Sequence, residues 1–319
     1  MASSKRTGFG TTSASQQGWP EADLLHQTRM DNRVLIGLGR CGEARLYCAT
    51  AAFGEWAGPD WLVKVYRIIP TEDADSDPVA RDRPAIELAA NIELLKAESI
   101  ERIHNFFVFN EYQVMCFMDR SSYAPLEKTI NQGRLLTLTN ALFIIEQLTW
   151  ALRAIHQRQI LHRNINPWSV LVSWISDGWA TAMLTDLSCA RFLAGEHAAL
   201  VSDPVGGRGG YQAPEQHGAG DHDFAADVYA MGRLIYDILA GQRLPECIFT
   251  RRPPHLSQIR GDVIPEFADV VQRCHAYDPG VRPKANELLG WARRASNACQ
   301  GGKLIAPEET EALLRRIWA

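Results

Sequence analysis

The chain has 319 residues, 46% of them apolar, enough for one large domain or two modest ones around a real core. Its 33 basic and 37 acidic residues are interspersed and leave a net charge of −4, which excludes an electrostatic footprint for nucleic acid or an anionic membrane. Seven cysteines are scattered without a C-x-x-C pair, as expected of thiols kept reduced in the cytoplasm.

Residues 1–28 are rich in Ser, Thr, Gly and Gln and are expected to form a flexible N-terminal segment. They contain no apolar h-region, so they do not read as a secretory signal. From Arg33 the pattern predicts strands over RVLIGL, EARLYCAT and DWLVKVYRI, with glycines between the first two as in a hairpin. An acidic, proline-containing loop is expected over 71–84, then a helix over AIELAANIELLKAESI and short strands over NFFVF and QVMCFM. A strand-rich region with one helix is thus expected over 29–118.

Beyond Met118 the period becomes helical. Ile145, Leu148, Leu152 and Ile155 recur at three and four residues and put an apolar stripe on one helix. The stretch around it, 141–152, is interrupted by Glu146 and Gln147 and is too short to span a membrane, which takes about 20 apolar residues. A second helix, DFAADVYAMGRLIYDILAG, ends at Gly241, a natural helix stop. The expected boundaries are 119–296 for a helical region and 297–319 for an amphipathic C-terminal helix, where Leu313, Leu314, Ile317 and Trp318 form an apolar face for the C-terminal region itself or for a partner.

Gly37-Leu38-Gly39-Arg40-Cys41-Gly42 is a G-x-G-x-x-G stretch, a spacing that lets backbone N–H groups approach phosphates closely. In a dinucleotide-binding turn a helix would follow the last glycine. Here the alternating EARLYCAT follows, which favours a glycine loop between two antiparallel strands.

Downstream come Trp61-Leu62-Val63-Lys64, His162-Arg163-Asn164-Ile165-Asn166-Pro167-Trp168-Ser169, Asp186-Leu187-Ser188, Ala213-Pro214-Glu215, Asp227-Val228-Tyr229-Ala230-Met231-Gly232, and Asp278-Pro279-Gly280-Val281-Arg282-Pro283. Over about residues 33–295 this series resembles the protein-kinase signature set, in order and spacing. The resemblance implies an α+β, bilobal protein-kinase-like fold: a β-rich N-lobe with one main helix, a mostly helical C-lobe, and a nucleotide-shaped cleft between them. It places Lys64 on the α/β-phosphates and Asp186 on Mg²⁺. It lines the cleft with Gly37, Gly39, Gly42, Ala44, Leu62, Met115, Phe117, Met118 and Leu171. Glu215 and Arg282 look like a buried ion pair of the family.

Several positions depart from that pattern. Where the family has the carboxylate that accepts the substrate proton, this chain has Asn164, whose amide lacks a sufficiently basic lone pair. The lysine two residues on is replaced by Asn166, and the asparagine that holds a second metal by Ser169, a poorer oxygen ligand. Arg208 stands where a threonine often helps to order the substrate platform, and Asn91 aligns with the glutamate that should pair with Lys64. Glu87, one turn earlier on the same helical face, is the alternative partner.

These departures lead to the expectation of a pseudokinase: no enzyme, but a regulatory or scaffolding module binding a protein partner, with weak ATP and weak Mg binding at Lys64, Asp186 and Ser169. The alternative is a kinase-like enzyme with residual or atypical phosphoryl or nucleotidyl transfer from ATP. Neither reading involves nucleic acid or a membrane span, and both place the chain in the cytoplasm.

Overall fold

The computed structural model describes residues 30–38, 44–51, 60–67, 78–109, 112–119, 123–131, 136–174, 180–200, 209–217, 223–243, 245 and 253–299. Five strands open the fold: β1 (Met30–Leu38), β2 (Ala44–Ala51), β3 (Asp60–Arg67), β4 (Ile103–Phe109) and β5 (Tyr112–Asp119). They form one sheet in the order β1-β2-β3-β5-β4, with every neighbouring pair antiparallel. Leu38 pairs with Arg45 across β1 and β2, so the glycine stretch joins two antiparallel strands, as the alternation of EARLYCAT requires.

Helix α1 (Pro78–Glu93) lies between β3 and β4 in the chain. It starts seven residues before the expected AIELA stretch and ends at Glu93 rather than continuing through Ile100. Pro78 fits the first helical position, where its missing N–H is an orphan anyway. Pro84 sits inside the helix, where a proline normally breaks the hydrogen-bond ladder. Burial of Arg83, Pro84, Ile86, Ala89 and Ala90 on one side of α1 supplies the tertiary packing that overrides this local penalty. After the helix the chain is stitched to a later strand, since Glu101 N–H donates to the Leu184 carbonyl and Leu184 N–H to that of Ser99.

The second half begins with β6 (Tyr123–Pro125), α2 (Leu126–Asn131) and α3 (Leu138–Gln157). Thr137 caps α3 by accepting from Asn140 N–H at 3.2 Å. Strands β7 (Ile160–Leu161), β8 (Val170–Trp174), β9 (Ala180–Leu184) and β10 (Arg191–Phe192) follow, giving a β6-β8-β9 sheet and a β10-β7 pair. These short strands carry the loop and turn that hold the site.

Helix α4 (Phe224–Ala240) is the axis of the helical region: every residue from Ala226 to Ala240 is buried. Asp223 caps its start by accepting from Ala225 N–H, and Gly241 ends it at φ +64°, a left-handed conformation that suits glycine. Against it pack α5 (Leu256–Ile259) and α6 (Pro265–Cys274), while α7 (Ala285–Ala298) packs on α3 and α6. The approach of α4 to α6 is so close that a Cβ on Gly232 would lie 2.5 Å from the Cys274 Cβ. Arg282 reaches Glu215 through two hydrogen bonds of 2.5 and 2.7 Å, the ion pair implied by the family resemblance. Among the described residues no helix is long and apolar enough to cross a membrane. The N-terminal segment, residues 71–77 of the acidic loop, Arg208 and the C-terminal helix lie outside the described residues.

Candidate active site

Side chains two residues apart on a strand point to the same face, so β3 presents Lys64 and Tyr66 together, both buried. The Lys64 ammonium lies 2.8 Å from Glu87 Oε2, 3.0 Å from Glu87 Oε1 and 2.8 Å from Asp186 Oδ1. Tyr66 OH donates to Glu87 Oε2 at 2.6 Å. Glu87, 1% exposed on α1, is therefore the lysine's helical partner. Asn91, one turn on, donates its amide back to the Glu87 carbonyl instead.

Burial by itself would lower the Lys64 pKa, but the carboxylates of Asp186 and Glu87 more than offset that and raise it well above the usual value. Burial pushes Glu87 up, and Lys64 only partly compensates. Burial also pushes Asp186 up, yet Lys64 and the Ser188 hydroxyl reverse this and hold it well below the ordinary carboxylate range. The site thus carries a fixed cation beside a fixed anion.

Asp186 precedes a 3₁₀ turn, Leu187–Cys189, and adopts φ 63°, ψ 64°. A left-handed backbone costs a non-glycine residue about 1–2 kcal/mol, and here three side chains hold it there. Oδ1 takes Lys64 and the Ser188 hydroxyl, the latter at 2.6 Å, while Oδ2 takes the Asn164 side-chain amide at 2.7 Å. The Asp186 side chain remains 34% exposed.

The loop from His162 to Ser169 is fastened from below by Asp227 of α4. That carboxylate accepts from His162 N–H at 2.8 Å and Arg163 N–H at 2.7 Å, and bonds His156 Nε2 at 3.0 Å. His162 Nδ1 accepts from Asn164 N–H, so its Nε2 carries the proton donated to the Thr185 carbonyl. Burial lowers the His162 pKa, consistent with this neutral ring.

The three replaced positions bond to one another. Asn166 donates its amide to the Asn164 backbone carbonyl at 2.7 Å and to Asn164 Oδ1 at 3.0 Å, and its own Oδ1 accepts from Trp168 N–H. Ser169 Oγ accepts from Asn166 N–H and donates to the Asn166 carbonyl, both at 3.0 Å. An unbroken chain of hydrogen bonds therefore runs from Ser169 through Asn166, Asn164, Asp186, Lys64 and Glu87 to Tyr66.

Of the other expected residues, Leu171 is buried on β8. Gly37, Ala44, Leu62, Met115, Phe117 and Met118 lie on the sheet, where Lys64 pairs with Leu46 on one side and Met115 on the other. Gly39 and Gly42 are outside the described residues. Tyr66, Ser188 and His156 were not singled out from sequence. For Tyr66 the available signal was its position two residues after Lys64 on an alternating strand.

Asp186 offers a hard, ionised oxygen donor of the kind Mg²⁺ prefers. Ser169, the other expected metal residue, donates and accepts through its hydroxyl within its own turn. Among the described residues there is no group of three or more His, Cys, Asp or Glu that could hold a metal, so phosphate and water oxygens would complete the shell.

The protein kinase domain model matches residues 77–291, two thirds of the chain. The chain belongs to the protein kinase domain family. This kinase domain is 30% identical over 213 residues to the "Probable serine/threonine-protein kinase PknB" of Lactococcus lactis, covering 66% of the chain and 31% of the relative. It is 26% identical over 278 residues to "Serine/threonine-protein kinase PknH" of Mycobacterium bovis, covering 85% of the chain and 42% of the relative. The chain thus spans under half the length of these curated relatives. A crystallised kinase domain matches at a TM-score of 0.59 and 15% identity, covering 82% of this chain and 95% of that one, which supports the bilobal α+β fold.

These relatives overturn one expectation. Asn164, Asn166 and Ser169 suggested a chain that is no enzyme, whereas the relatives are named serine/threonine-protein kinases. The physical reason is that phosphoryl transfer depends chiefly on positioning and electrostatics, and a substituted base does not by itself remove them.

Proposed function

We infer that this kinase domain transfers the γ-phosphoryl group of ATP to a hydroxyl of a protein acceptor, using a catalytic loop with an amide in place of the usual carboxylate. The observation that carries this reading is the Lys64–Glu87–Asp186 assembly, in which a buried ammonium is held by two carboxylates, one of them the ionised Asp186. Lys64 would hold the α/β-phosphates. Asp186 would hold a divalent cation, which when bound neutralises phosphate charge. Asn164 keeps Asp186 oriented and can accept a hydrogen bond from the acceptor hydroxyl. The hydroxyl oxygen attacks phosphorus, the bond to the β–γ bridging oxygen breaks, and ADP leaves. The hydroxyl proton passes to a phosphoryl oxygen or to solvent, because Asn164 has no basic lone pair to receive it. Dispersed thiols without a C-x-x-C pair support action in a reducing, cytoplasmic setting.

Loss of a general base costs about 10²–10⁴-fold against ordinary kinase turnover of about 1–100 s⁻¹, so turnover between about 10⁻⁴ and 1 s⁻¹ is expected. The test is transfer of labelled γ-phosphate, with Mg²⁺ or Mn²⁺, to the chain itself and to a generic serine- and threonine-bearing protein. Slow transfer that disappears in Lys64→Met supports the reading. ATP binding without transfer in the parent overturns it.

A further inference from the structure

Glu87 of α1, not Asn91, is the acid that pairs with Lys64 of β3. Lys64 and Tyr66 lie two residues apart on β3, on the same face, and Glu87 touches both. The hydrogen bond from Tyr66 at 2.6 Å is in the short range of charge-assisted O–H···O⁻ contacts. The tyrosine ring also lies under the ammonium, with Lys64 Nζ 5.1 Å from its centroid.

We propose that Tyr66 is a positioning residue for phosphoryl transfer, holding the Glu87 carboxylate in place on Lys64 so that the lysine is presented to phosphate in a fixed orientation. The proposal rests on the assignment of Lys64 to ATP. Without the phenol, Glu87 Oε2 keeps only the lysine as donor, and its terminal torsion, intrinsically broad, is left less constrained. The charged or titratable groups facing Glu87 are Lys64 and Tyr66 from β3 and Asp186 from the turn before Leu187. The bond from Tyr66 favours the ionised carboxylate, so its loss should let Glu87 take up a proton at higher pH.

Tyr66→Phe keeps the ring and removes only the hydroxyl. Two measurements decide the matter: the ¹³C carboxyl titration of Glu87 without nucleotide, assigned with Glu87→Gln, and ATP affinity by calorimetry at a temperature well below melting. The expected result is a Glu87 titration moved to higher pH and an ATP Kd raised about ten-fold, or about 1.4 kcal/mol. In a Glu87→Gln background the same change should have little further effect on ATP affinity. An unchanged Glu87 titration overturns the proposal, and so does an unchanged ATP affinity accompanied only by a lower melting temperature, which would mark Tyr66 as a satisfied core residue. If the parent binds ATP but transfers no phosphate, the proposed function fails while these two measurements still decide the role of Tyr66.

Discussion

The Asn164 side-chain amide donates to Asp186 Oδ2 at 2.7 Å, so these two positions are joined by a hydrogen bond where two carboxylates would repel. Asn164→Asp should therefore make the site depend on a cation. Like charges at this separation disfavour joint ionisation, and a divalent ion between them removes the penalty. The variant is expected to melt several degrees below the parent without divalent metal and to show a larger Mg²⁺-induced rise in Tm, both read by thermal shift.

Lys64→Met should be costly in a different way. It leaves Glu87 buried with no cation and Asp186 with its main counter-charge gone. Breaking a buried pair by removing one partner typically costs about 3–5 kcal/mol, and the half facing the more exposed Asp186 adds less. Urea denaturation should show a loss of roughly 3 kcal/mol, and the ATP-induced rise in Tm should vanish.

Gly232 is expected to tolerate no side chain. A Cβ there would meet the Cys274 Cβ at 2.5 Å and His275 Cε1 at 3.0 Å, so Gly232→Ala must push α4 and α6 apart. Overpacking of this kind costs about 1–3 kcal/mol, whereas alanine's higher helix propensity returns less than about 1 kcal/mol. Denaturant titration should show a net loss with an unchanged m-value.

Stability should fall early on acidification because of His275. It is buried between Tyr229 and Tyr236, with ring centroids 5.1 Å from each, and burial lowers its pKa to about 3. A histidine whose folded pKa lies below its unfolded value contributes stability that is full above the unfolded pKa, near 6.5, and is lost as pH falls toward the folded one. The expected slope is up to about 1.4 kcal/mol per pH unit between pH 6.5 and about 3, with His162 adding in the same direction. Below pH 4 the depressed carboxylates of Asp186 and Asp227 add to the loss. Replacing His275 by Gln should flatten the profile between pH 6.5 and 4; an identical slope would place the early loss elsewhere.

The site motifs were legible because the chemistry demands fixed residue types at fixed separations, so Lys64, His162, Asp186, Glu215 and Arg282 could be placed by order alone. The start of α1 was not, since Pro84 looks like a breaker until its burial is known. Nor could the pattern decide between Glu87 and Asn91, because that choice depends on how the helix sits over β3. The replacements at Asn164, Asn166 and Ser169 were visible, but their mutual hydrogen bonds were not. Those bonds close in the turn that Asn166 caps ahead of Pro167, and residue order alone does not show which side chains meet there. Read singly, the three changes suggested a damaged loop. In the fold they form a connected one.

The fastening of this loop to Asp227 also ties its breathing to the deepest part of the molecule. The amide hydrogens of His162 and Arg163 are both held by a carboxylate on a helix whose residues from Ala226 to Ala240 are all buried, so they can meet solvent only when that helix lets go. Their hydrogen exchange should accordingly proceed through near-global opening, at rates set by the folding free energy, although they lie in a segment without regular secondary structure. In this chain the residues nearest the proposed chemistry share the cooperative unit of the interior, and slow substitution there would be felt first as a change in how often the whole helical region opens.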